Sequence, residues 1–340
     1  MKIHLTGAVW HAEMSSRIKK AFQDLGHEVL FFDEKGDGRF ELARKVFSRF
    51  VRYPYTIDDK FRVRASRLWQ ESIKKYNPDL IVIEYAVNIM PEAVAKIREL
   101  KKPIVYWVTS PPDLLQAKDM LWGVHFSDYV FSMDRDWMPL IAHFAPKRKV
   151  YHLPLAGSPD DFYPIERMEK IYDISFVGSI VPQYPDSLLR SYLISQLPLK
   201  YKIAVYSGSG TEVWFKYFPS LKNVVQGSGY ISSKKLNEIY NQSKIVLNIH
   251  STGHRTSISG RTFDAALAGA FQIVDWREDL ERLFPPDSFP AFRTTGEMLK
   301  LIDFWINKPK EREIQVKKVQ ELTKENHIWR NRAEEILKII

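Results

Sequence analysis

An arginine and an aspartate, Arg261 and Asp264, stand three residues apart near the start of a short predicted helix. Residues at this spacing lie on the same side of an α-helix, so the two side chains are neighbours. The small residues Ser259 and Gly260 precede them, and the free N–H groups of a helix start favour an anion. A guanidinium suits phosphate oxygens, and a carboxylate suits the hydroxyls of a ribose diol. The pattern therefore predicts a site for a nucleoside diphosphate.

The same spacing also has an interpretation that involves no ligand. Asp264 would then only complement the positive end of the helix dipole, and Arg261 would be a solvated surface charge. The apolar residues Phe263, Ala266 and Leu267 lie on one face of the helix under either interpretation. The sequence predicts the helix and leaves the choice between the two roles open.

Glycines that follow predicted strands mark further candidate ligand loops. Gly178 and Ser179 end the first strand of the second half of the chain, and Gly208 follows the next strand. Glycine lets a backbone approach a ligand closely, and parallel sheets bind ligands at the carboxyl ends of their strands. A simple turn glycine is the alternative, and Gly208-Ser209-Gly210 is not a complete dinucleotide motif because Val213 takes the place of the third glycine.

Two histidines and an arginine lie shortly before Ser259. His250 and His254 have the four-residue spacing of a metal pair, but Gly253 interrupts the segment and the acid of an H-E-x-x-H motif is missing. As hydrogen-bond donors beside Arg255, the histidines would instead assist phosphate binding. We therefore expect His250 and Arg255 to belong to the anion site, without a metal ion.

The segment Asp134-Arg135-Asp136 matches the D-x-D motif with which metal-dependent sugar transferases bind their metal ion. It follows a predicted strand and begins a helical stretch, where acids commonly serve as caps. The sequence therefore predicts a helix cap at Asp134, and no metal site is predicted elsewhere in the chain.

The composition is that of a globular protein with two domains. The chain has 340 residues, of which 45% are hydrophobic, and this length exceeds what one ordinary core holds. It contains neither a membrane-length apolar run nor a secretory signal pattern. The lack of cysteine excludes disulfides, thiolate nucleophiles and cysteine-ligated metals, and fits a reducing cytoplasm. The net charge of +9 favours an anionic partner: a nucleotide sugar, an acidic polymer, lipid headgroups or nucleic acid.

Strand-length apolar runs alternate with amphipathic stretches of helix length along the whole chain. This alternation predicts parallel sheets that are covered by helices. The predicted strands are residues 2–5, 28–32, 80–83, 104–107, 129–131 and 150–152, and then 173–178, 203–206, 224–225, 245–248 and 271–274.

The strand pattern restarts after 154–164, a stretch rich in proline, glycine and aspartate. We therefore predict two doubly wound, Rossmann-like α/β domains that face each other across a cleft. The first spans residues 1–155, a linker follows at 156–170, and the second spans 171–325. Helical patterns at 308–324 and 328–339 come after the last strand.

Residues 40–76 combine basic and aromatic side chains. Such a segment could hold an anionic acceptor or lie on an anionic membrane surface. A solvated helix face with its aromatic residues in the core is the alternative. The side chains concerned are Lys45, Arg49, Arg52, Arg62, Arg64 and Arg67, with Phe47, Phe50, Tyr53, Tyr55 and Trp69.

Several segments in the second half together resemble the CgeB-type glycosyltransferases, which are also described as spore maturation or glycosyl transferase group 1 proteins. The segments are 173–178, 205–210, 239–248, 261–271, 280–284 and 327–332. The resemblance covers 173–340 well and the first half more loosely. Two positions depart from the pattern. The arginine–aromatic–acid element normally ends in glutamate, where this chain has Asp264, and related retaining enzymes carry another acid at the position of Thr256.

The resemblance implies the GT-B fold, with the last helix, 326–340, returning to the first domain. It implies a transferase that moves a sugar from a nucleotide-sugar donor, bound by the second domain, to an acceptor glycan, protein or other polymer held by the first domain. Such enzymes generally need no metal ion or other cofactor. The negative charge of the leaving diphosphate would be stabilised by Arg261, Arg255, the amides of Gly178 and Ser179, and the helix start.

Retention of the anomeric configuration is expected, because no unambiguous general base is present. His11 and Asp113 are the candidate bases if the enzyme inverts, and a helix-capping role is also open for His11. Two other functions stay open. An epimerase of the same fold would convert the donor without an acceptor, and a binding or scaffold protein would carry out no turnover.

Overall fold

The computed structural model describes residues 1–7, 12–34, 55–86, 88–112, 118–145, 147–182 and 186–340. These residues form two compact units, each built on one six-stranded sheet. Unit 1 comprises Met1–Pro154 and Trp329–Ile340, and unit 2 comprises Leu155–Ile328. The predicted pair of parallel α/β domains is confirmed, and every predicted strand is present within a few residues of its expected ends.

The sheet of unit 1 has the strand order β2-β1-β3-β4-β5-β6, and all neighbouring strands are parallel. Its strands are β1 (Lys2–Gly7), β2 (Glu28–Asp33), β3 (Leu80–Ile83), β4 (Ile104–Val108), β5 (Tyr129–Ser132) and β6 (Val150–His152). The helices between them are α1 (Ala12–Asp24), α2 (Tyr55–Tyr76), α3 (Pro91–Ile97), α4 (Lys118–Phe126) and α5 (Met138–Phe144). Every residue of β3 and β4 is buried, which explains why these strands are apolar throughout.

The sheet of unit 2 has the order β12-β11-β10-β7-β8-β9, again with parallel neighbours. Its strands are β7 (Tyr172–Val177), β8 (Ile203–Ser207), β9 (Val225–Ser228), β10 (Ser243–Asn248), β11 (Gln272–Asp275) and β12 (Ala291–Phe292). The helices are α6 (Ser187–Ser195), α7 (Ser233–Asn241), α8 (Gly260–Leu267), α9 (Glu278–Leu283), α10 (Thr295–Ile306) and α11 (Pro309–Asn326). The strand order reverses between β7 and β10, so a switch point lies between these two strands.

Helix α8 is the predicted helix that carries Arg261 and Asp264. It begins after Ser259, whose backbone is extended, and its apolar residues Phe263 and Leu267 are fully buried. Just beyond its end, Gly269 has a φ of +71°, a left-handed conformation that favours glycine. Burial of one face thus fixes α8 against the sheet, and its first turn lies beside β7.

The last helix, α12 (Trp329–Ile339), belongs to unit 1, in agreement with the predicted fold. Trp329 packs edge-on against Trp107 of β4, with 5.9 Å between ring centroids. Arg332 Nε donates to the carbonyl of Pro154 at 2.9 Å, and Ile336 is fully buried. Helix α12 therefore contributes apolar and polar contacts to the core of unit 1.

The basic and aromatic segment 40–76 is described only from residue 55 onward, as α2. In this helix Trp69 is fully buried and its indole donates to Thr6 Oγ1 at 2.8 Å, whereas Arg64 and Arg67 are exposed. These residues fit a helix with one solvated face and an aromatic face in the core. Binding of the whole segment to a membrane surface or to an acceptor stays a prediction. Within the described ranges, no helix combines the length and apolar character needed to cross a membrane.

Candidate functional site

A cavity of about 710 Å³ opens at the carboxyl ends of the strands in unit 2. It lies where the strand order reverses between β7 and β10, which is where open α/β sheets bind ligands. Its volume falls in the range of small-molecule sites. Its walls are formed by Val177, Gly178, Ser179, Val181, Asp186, Arg190, Tyr206, Ser207, Gly208, Ser209, Gly229, Tyr230, Ile231, Ser251 and Arg261.

Arg261 and Gly178 meet in the wall of this cavity. Arg261 Nη1 donates to the carbonyl of Val177 at 3.1 Å, and this bond holds the guanidinium over the end of β7. A Cβ atom at Gly178 would lie 3.0 Å from Arg261 Nη1 and 2.8 Å from the ring of Phe176. Only glycine therefore lets the strand end and the guanidinium approach this closely. The amide of Gly178 itself donates to the carbonyl of Tyr206 at 3.1 Å.

A second guanidinium in the wall, that of Arg190, was not predicted from the sequence. Arg190 is 3% exposed and forms an ion pair with Asp186. Its Nε and Nη2 donate to the carbonyl of Ile249 at 3.1 and 3.0 Å, and its Nη1 donates to the carbonyl of Ser179 at 3.0 Å. Burial, together with the charge of Arg261, lowers the pKa of Arg190 to about 10. Arg190 thus joins the loop after β7 to the end of β10.

His250 belongs to a buried chain of hydrogen bonds behind the cavity wall. Its Nδ1 lies 2.5 Å from Asp275 Oδ1, its Nε2 lies 3.2 Å from Thr262 Oγ1, and Asp275 also pairs with Arg277 at 2.9 Å. Burial lowers the pKa of His250, so the neutral ring donates to Asp275 and accepts from Thr262. Thr262 in turn accepts from Asn248 Nδ2 at 2.9 Å. These contacts fix α8 to β10 and β11, and direct contact of His250 with a donor stays a prediction.

The other residues predicted around α8 take different positions. Ser259 precedes the helix and is 6% exposed, and its Oγ has no hydrogen-bond partner among the described residues. Gly260 is half-buried at the helix start. Arg255 is exposed and, like Asp264, is not among the residues that form the cavity wall. The structure thus brings Gly178, Ser179, Gly208 and Arg261 together and leaves Arg255 outside the wall.

Asp264 is 4% exposed, and its Oδ1 accepts the backbone N–H of Ser158 at 3.1 Å. This bond connects α8 to the segment that precedes β7. The carboxylate therefore has a structural partner, and its predicted contact with a ribose diol is an additional role.

We expect Asp264→Asn to lower donor affinity by about 1.5 to 3 kcal/mol if the carboxylate accepts from a ribose diol, because a hydrogen bond to a charged group is lost. Stability should change little, since the amide oxygen can still accept from Ser158. Calorimetric titration and thermal unfolding of the same samples measure both quantities. Asp264→Glu is the matched variant and should keep donor binding. Unchanged affinity in Asp264→Asn would contradict the ribose role and leave the carboxylate with a structural role.

The two motifs with possible metal spacing have other partners. Asp134 Oδ1 accepts the backbone N–H of Asp136 at 2.9 Å, so the predicted cap is confirmed. His254 Nδ1 lies 2.9 Å from Ser257 Oγ. Among the residues that the structure describes, no three histidine, aspartate or glutamate side chains form a group that could hold a metal ion.

The candidate bases His11 and Asp113 lie outside the described residues. At the carboxyl edge of the unit 1 sheet, two buried carboxylates are described instead. Glu84 accepts from Ser15 Oγ at 3.0 Å and from Thr109 Oγ1 at 3.1 Å. Glu34 accepts from the backbone N–H and from Nδ2 of Asn88, at 2.8 and 3.1 Å. Burial raises the pKa of Glu34 to about 8 and that of Glu84 to about 7.

These raised pKa values predict that unit 1 loses stability as the pH rises. Between the usual glutamate pKa of 4.5 and a value of about 8, the folded state holds protons that the unfolded state has released. The free energy of unfolding therefore falls across this window, by up to about 1.4 kcal/mol per pH unit for each carboxylate, and levels off above it. Urea unfolding between pH 5 and 9 measures this slope. Glu34→Gln should flatten it, and an identical slope in this variant would exclude Glu34 as its source.

The second half of the chain matches a known protein family. Residues 190–338 match the family described as glycosyl transferase-like. No curated protein matches the sequence.

Solved structures of several glycosyltransferases resemble the whole chain. Sucrose-phosphate synthase from Thermosynechococcus elongatus has a TM-score of 0.72 at 12% identity, with 100% of this chain and 98% of that chain covered. Anabaena HepE in complex with UDP-glucose has a TM-score of 0.65 at 12% identity, with 100% of both chains covered. The UDP-forming trehalose-phosphate synthase from Burkholderia xenovorans has a TM-score of 0.66 at 10% identity, with 99% of this chain and 98% of that chain covered. The protein therefore has the GT-B glycosyltransferase fold, and its second half matches a glycosyl transferase-like family.

Proposed function

We propose that the protein is a glycosyltransferase that binds a nucleotide-sugar donor in the cavity of unit 2 and transfers the sugar to an acceptor. The observation that carries this proposal is the position of Arg261 and Arg190. Both guanidiniums line a cavity at the switch point of the sheet, beside the close turn at Gly178. A diphosphate leaving group develops negative charge as the sugar bond breaks, and fixed cations at that point stabilise the transition state.

The cavity walls also provide groups for the other parts of a donor. Tyr206 and Tyr230 present aromatic rings, and Tyr230 is 82% exposed, so a base could stack on it. The unpartnered hydroxyl of Ser259 lies at the start of α8, where it could donate to a phosphate oxygen. Arg261 would then bind the same diphosphate from the first turn of α8.

The finer parts of this proposal come from the sequence and from the comparisons. Because the HepE structure is a complex with UDP-glucose, we propose a uridine diphosphate sugar as the donor to test first. The segments that resemble CgeB-type glycosyltransferases support membership of that group, and retention of the anomeric configuration is part of the same proposal. The acceptor would be a glycan, a protein or another polymer.

Calorimetry and turnover measurements test this function together. UDP should bind the intact protein, and binding of ADP and GDP under the same conditions shows which base is preferred. Release of UDP from UDP-glucose should depend on an added acceptor. Turnover of the donor without an acceptor, giving an epimeric nucleotide sugar, would favour the epimerase. Failure of every nucleotide and nucleotide sugar to bind would favour a scaffold protein.

We expect turnover to continue in the presence of EDTA. Arg261, Arg190 and the start of α8 would meet the charge of the diphosphate, so a divalent cation is not required for this role. The measurement is the initial rate of donor consumption before and after chelation, with added magnesium or manganese as the control. Complete loss of activity that manganese restores would overturn this part of the proposal.

A further inference from the structure

A second cavity, of about 420 Å³, lies in unit 1 at the amino ends of β4 and β5. It therefore opens at the opposite edge of the sheet from Glu84, which follows the carboxyl end of β3. We call it the basic pocket, and its walls are formed by Arg98, Lys101, Lys102, Pro103, Asp128 and Tyr129. Three of these side chains are cations and one is a carboxylate.

The carboxylate of the basic pocket is already engaged. Asp128 Oδ2 accepts the backbone N–H of Ile104 at 3.0 Å, and Oδ1 lies 3.5 Å from Arg98 Nη2. In the part of the chain that the structure describes, neither the Lys101 nor the Lys102 ammonium group forms a hydrogen bond or an ion pair. The walls of the pocket therefore keep an excess of positive charge.

A fourth cation, Arg148, adds to this excess from the neighbouring loop. Arg148 Nη1 donates to the carbonyl of His125 at 2.7 Å, and Arg98 Nη1 donates to the carbonyl of Phe126 at 3.2 Å. Both guanidiniums thus cap the same end of α4. Burial lowers the pKa of Arg148, the charge of Arg98 lowers it further, and Asp128 acts in the opposite direction.

The backbone holds the two lysines beside each other at the pocket. Lys101 has a φ of +52°, a left-handed conformation that is uncommon for a residue with a side chain. Its N–H donates to the carbonyl of Arg98 at 3.0 Å, which closes the turn before β4. Lys102 is half-buried, so part of its side chain lies against the walls. This turn therefore ends in two consecutive cations on the wall of the pocket.

We propose that the basic pocket binds a phosphate group through Lys101, Lys102 and Arg98. A phosphate group offers several acceptor oxygens and one or two negative charges, which match three neighbouring donors of positive charge. The group could belong to a free phosphorylated molecule or to the headgroup of an anionic lipid. This site is separate from the donor cavity, which lies in unit 2.

Calorimetric titration with inorganic phosphate tests the proposal. The double variant Lys101→Ala/Lys102→Ala should weaken phosphate binding by about tenfold or more, because two charge-assisted hydrogen bonds are lost. Lys74→Ala/Lys75→Ala removes the same charge from exposed positions on α2 and should bind phosphate like the parent. Arg261→Ala should leave this phosphate site intact, and so separates it from phosphate bound in the donor cavity.

Vesicle sedimentation separates the two sources of the phosphate group. If the ligand is a lipid headgroup, the parent should sediment with vesicles that contain phosphatidylglycerol, and the Lys101/Lys102 variant should stay in the supernatant. Inorganic phosphate should then release the parent from the vesicles. If the ligand is a soluble molecule, inorganic phosphate binds and the vesicles do not. The proposal is overturned if the Lys101/Lys102 variant binds phosphate as tightly as the parent. Equal weakening in the Lys74/Lys75 variant overturns it as well, since total charge would then account for binding.

Discussion

Replacement of Arg261 by alanine is expected to weaken binding of a nucleoside diphosphate by about 1.5 to 3 kcal/mol, or roughly ten- to more than a hundredfold in Kd. The guanidinium lines the cavity and is held by the carbonyl of Val177, so its position does not depend on a ligand. Its removal takes away charge-assisted hydrogen bonds to the phosphates without emptying a core position. Calorimetric titration with UDP measures the change.

Two further variants show whether the geometry of Arg261 matters as well as its charge. Arg261→Lys keeps the charge but loses the planar fork, and should fall between the parent and Arg261→Ala. Arg282→Ala removes a guanidinium that forms an exposed ion pair with Glu278 on α9. This variant should bind UDP as the parent does. If Arg261→Ala binds UDP with unchanged affinity, Arg261 does not contact the phosphates. The proposed function then loses its main support.

Replacement of Arg190 by methionine is expected to lower the free energy of unfolding by about 3 to 5 kcal/mol, because it leaves the buried carboxylate of Asp186 without its cation. Arg190 and Asp186 are 3% and 5% exposed, so the carboxylate that remains is largely shielded from water. The carbonyls of Ile249 and Ser179 also lose their donor. Urea unfolding followed by circular dichroism measures the loss.

The double variant Asp186→Leu/Arg190→Met tests the cause of this loss. Because it removes both charges, it should recover much of the stability that Arg190→Met loses, and the cycle gives the coupling energy of the pair. No recovery would mean that the bonds from Arg190 to the carbonyls, rather than the unpaired carboxylate, account for the effect. A loss under about 1 kcal/mol in the single variant would contradict the buried ion pair itself.

The fold was predictable because its elements are marked by local patterns. Buried parallel strands such as β3 and β4 are apolar at every position, and strands of this kind are recognisable without knowledge of their neighbours. Strand β12, which has only two residues, was not predicted because so short a run carries no periodic pattern. Helix α8 was predicted from its buried apolar face and from the small residues at its start.

The candidate site was predictable only where spacing along the chain determines position in space. Arg261 and Gly178 were recognised because one starts a helix and the other ends a strand. Arg190 was missed because its partners, Asp186 aside, are carbonyl oxygens brought together by the fold, and carbonyls leave no pattern in a sequence. Asp275 and Thr262 contact both ring nitrogens of His250, a pairing that residue types alone do not determine.

The place of α12 in unit 1 bears on the order in which the protein folds during its synthesis. Trp329 and Ile336 belong to the core of unit 1 but lie far along the chain from its other residues, Met1–Pro154. All residues of unit 2, Leu155–Ile328, are synthesised before Trp329 and Ile336. Domains usually complete their folding from the N-terminus onward as they are made. Here all of unit 2 is made before the helix that packs on Trp107, so unit 1 completes its core only after the second unit has been synthesised.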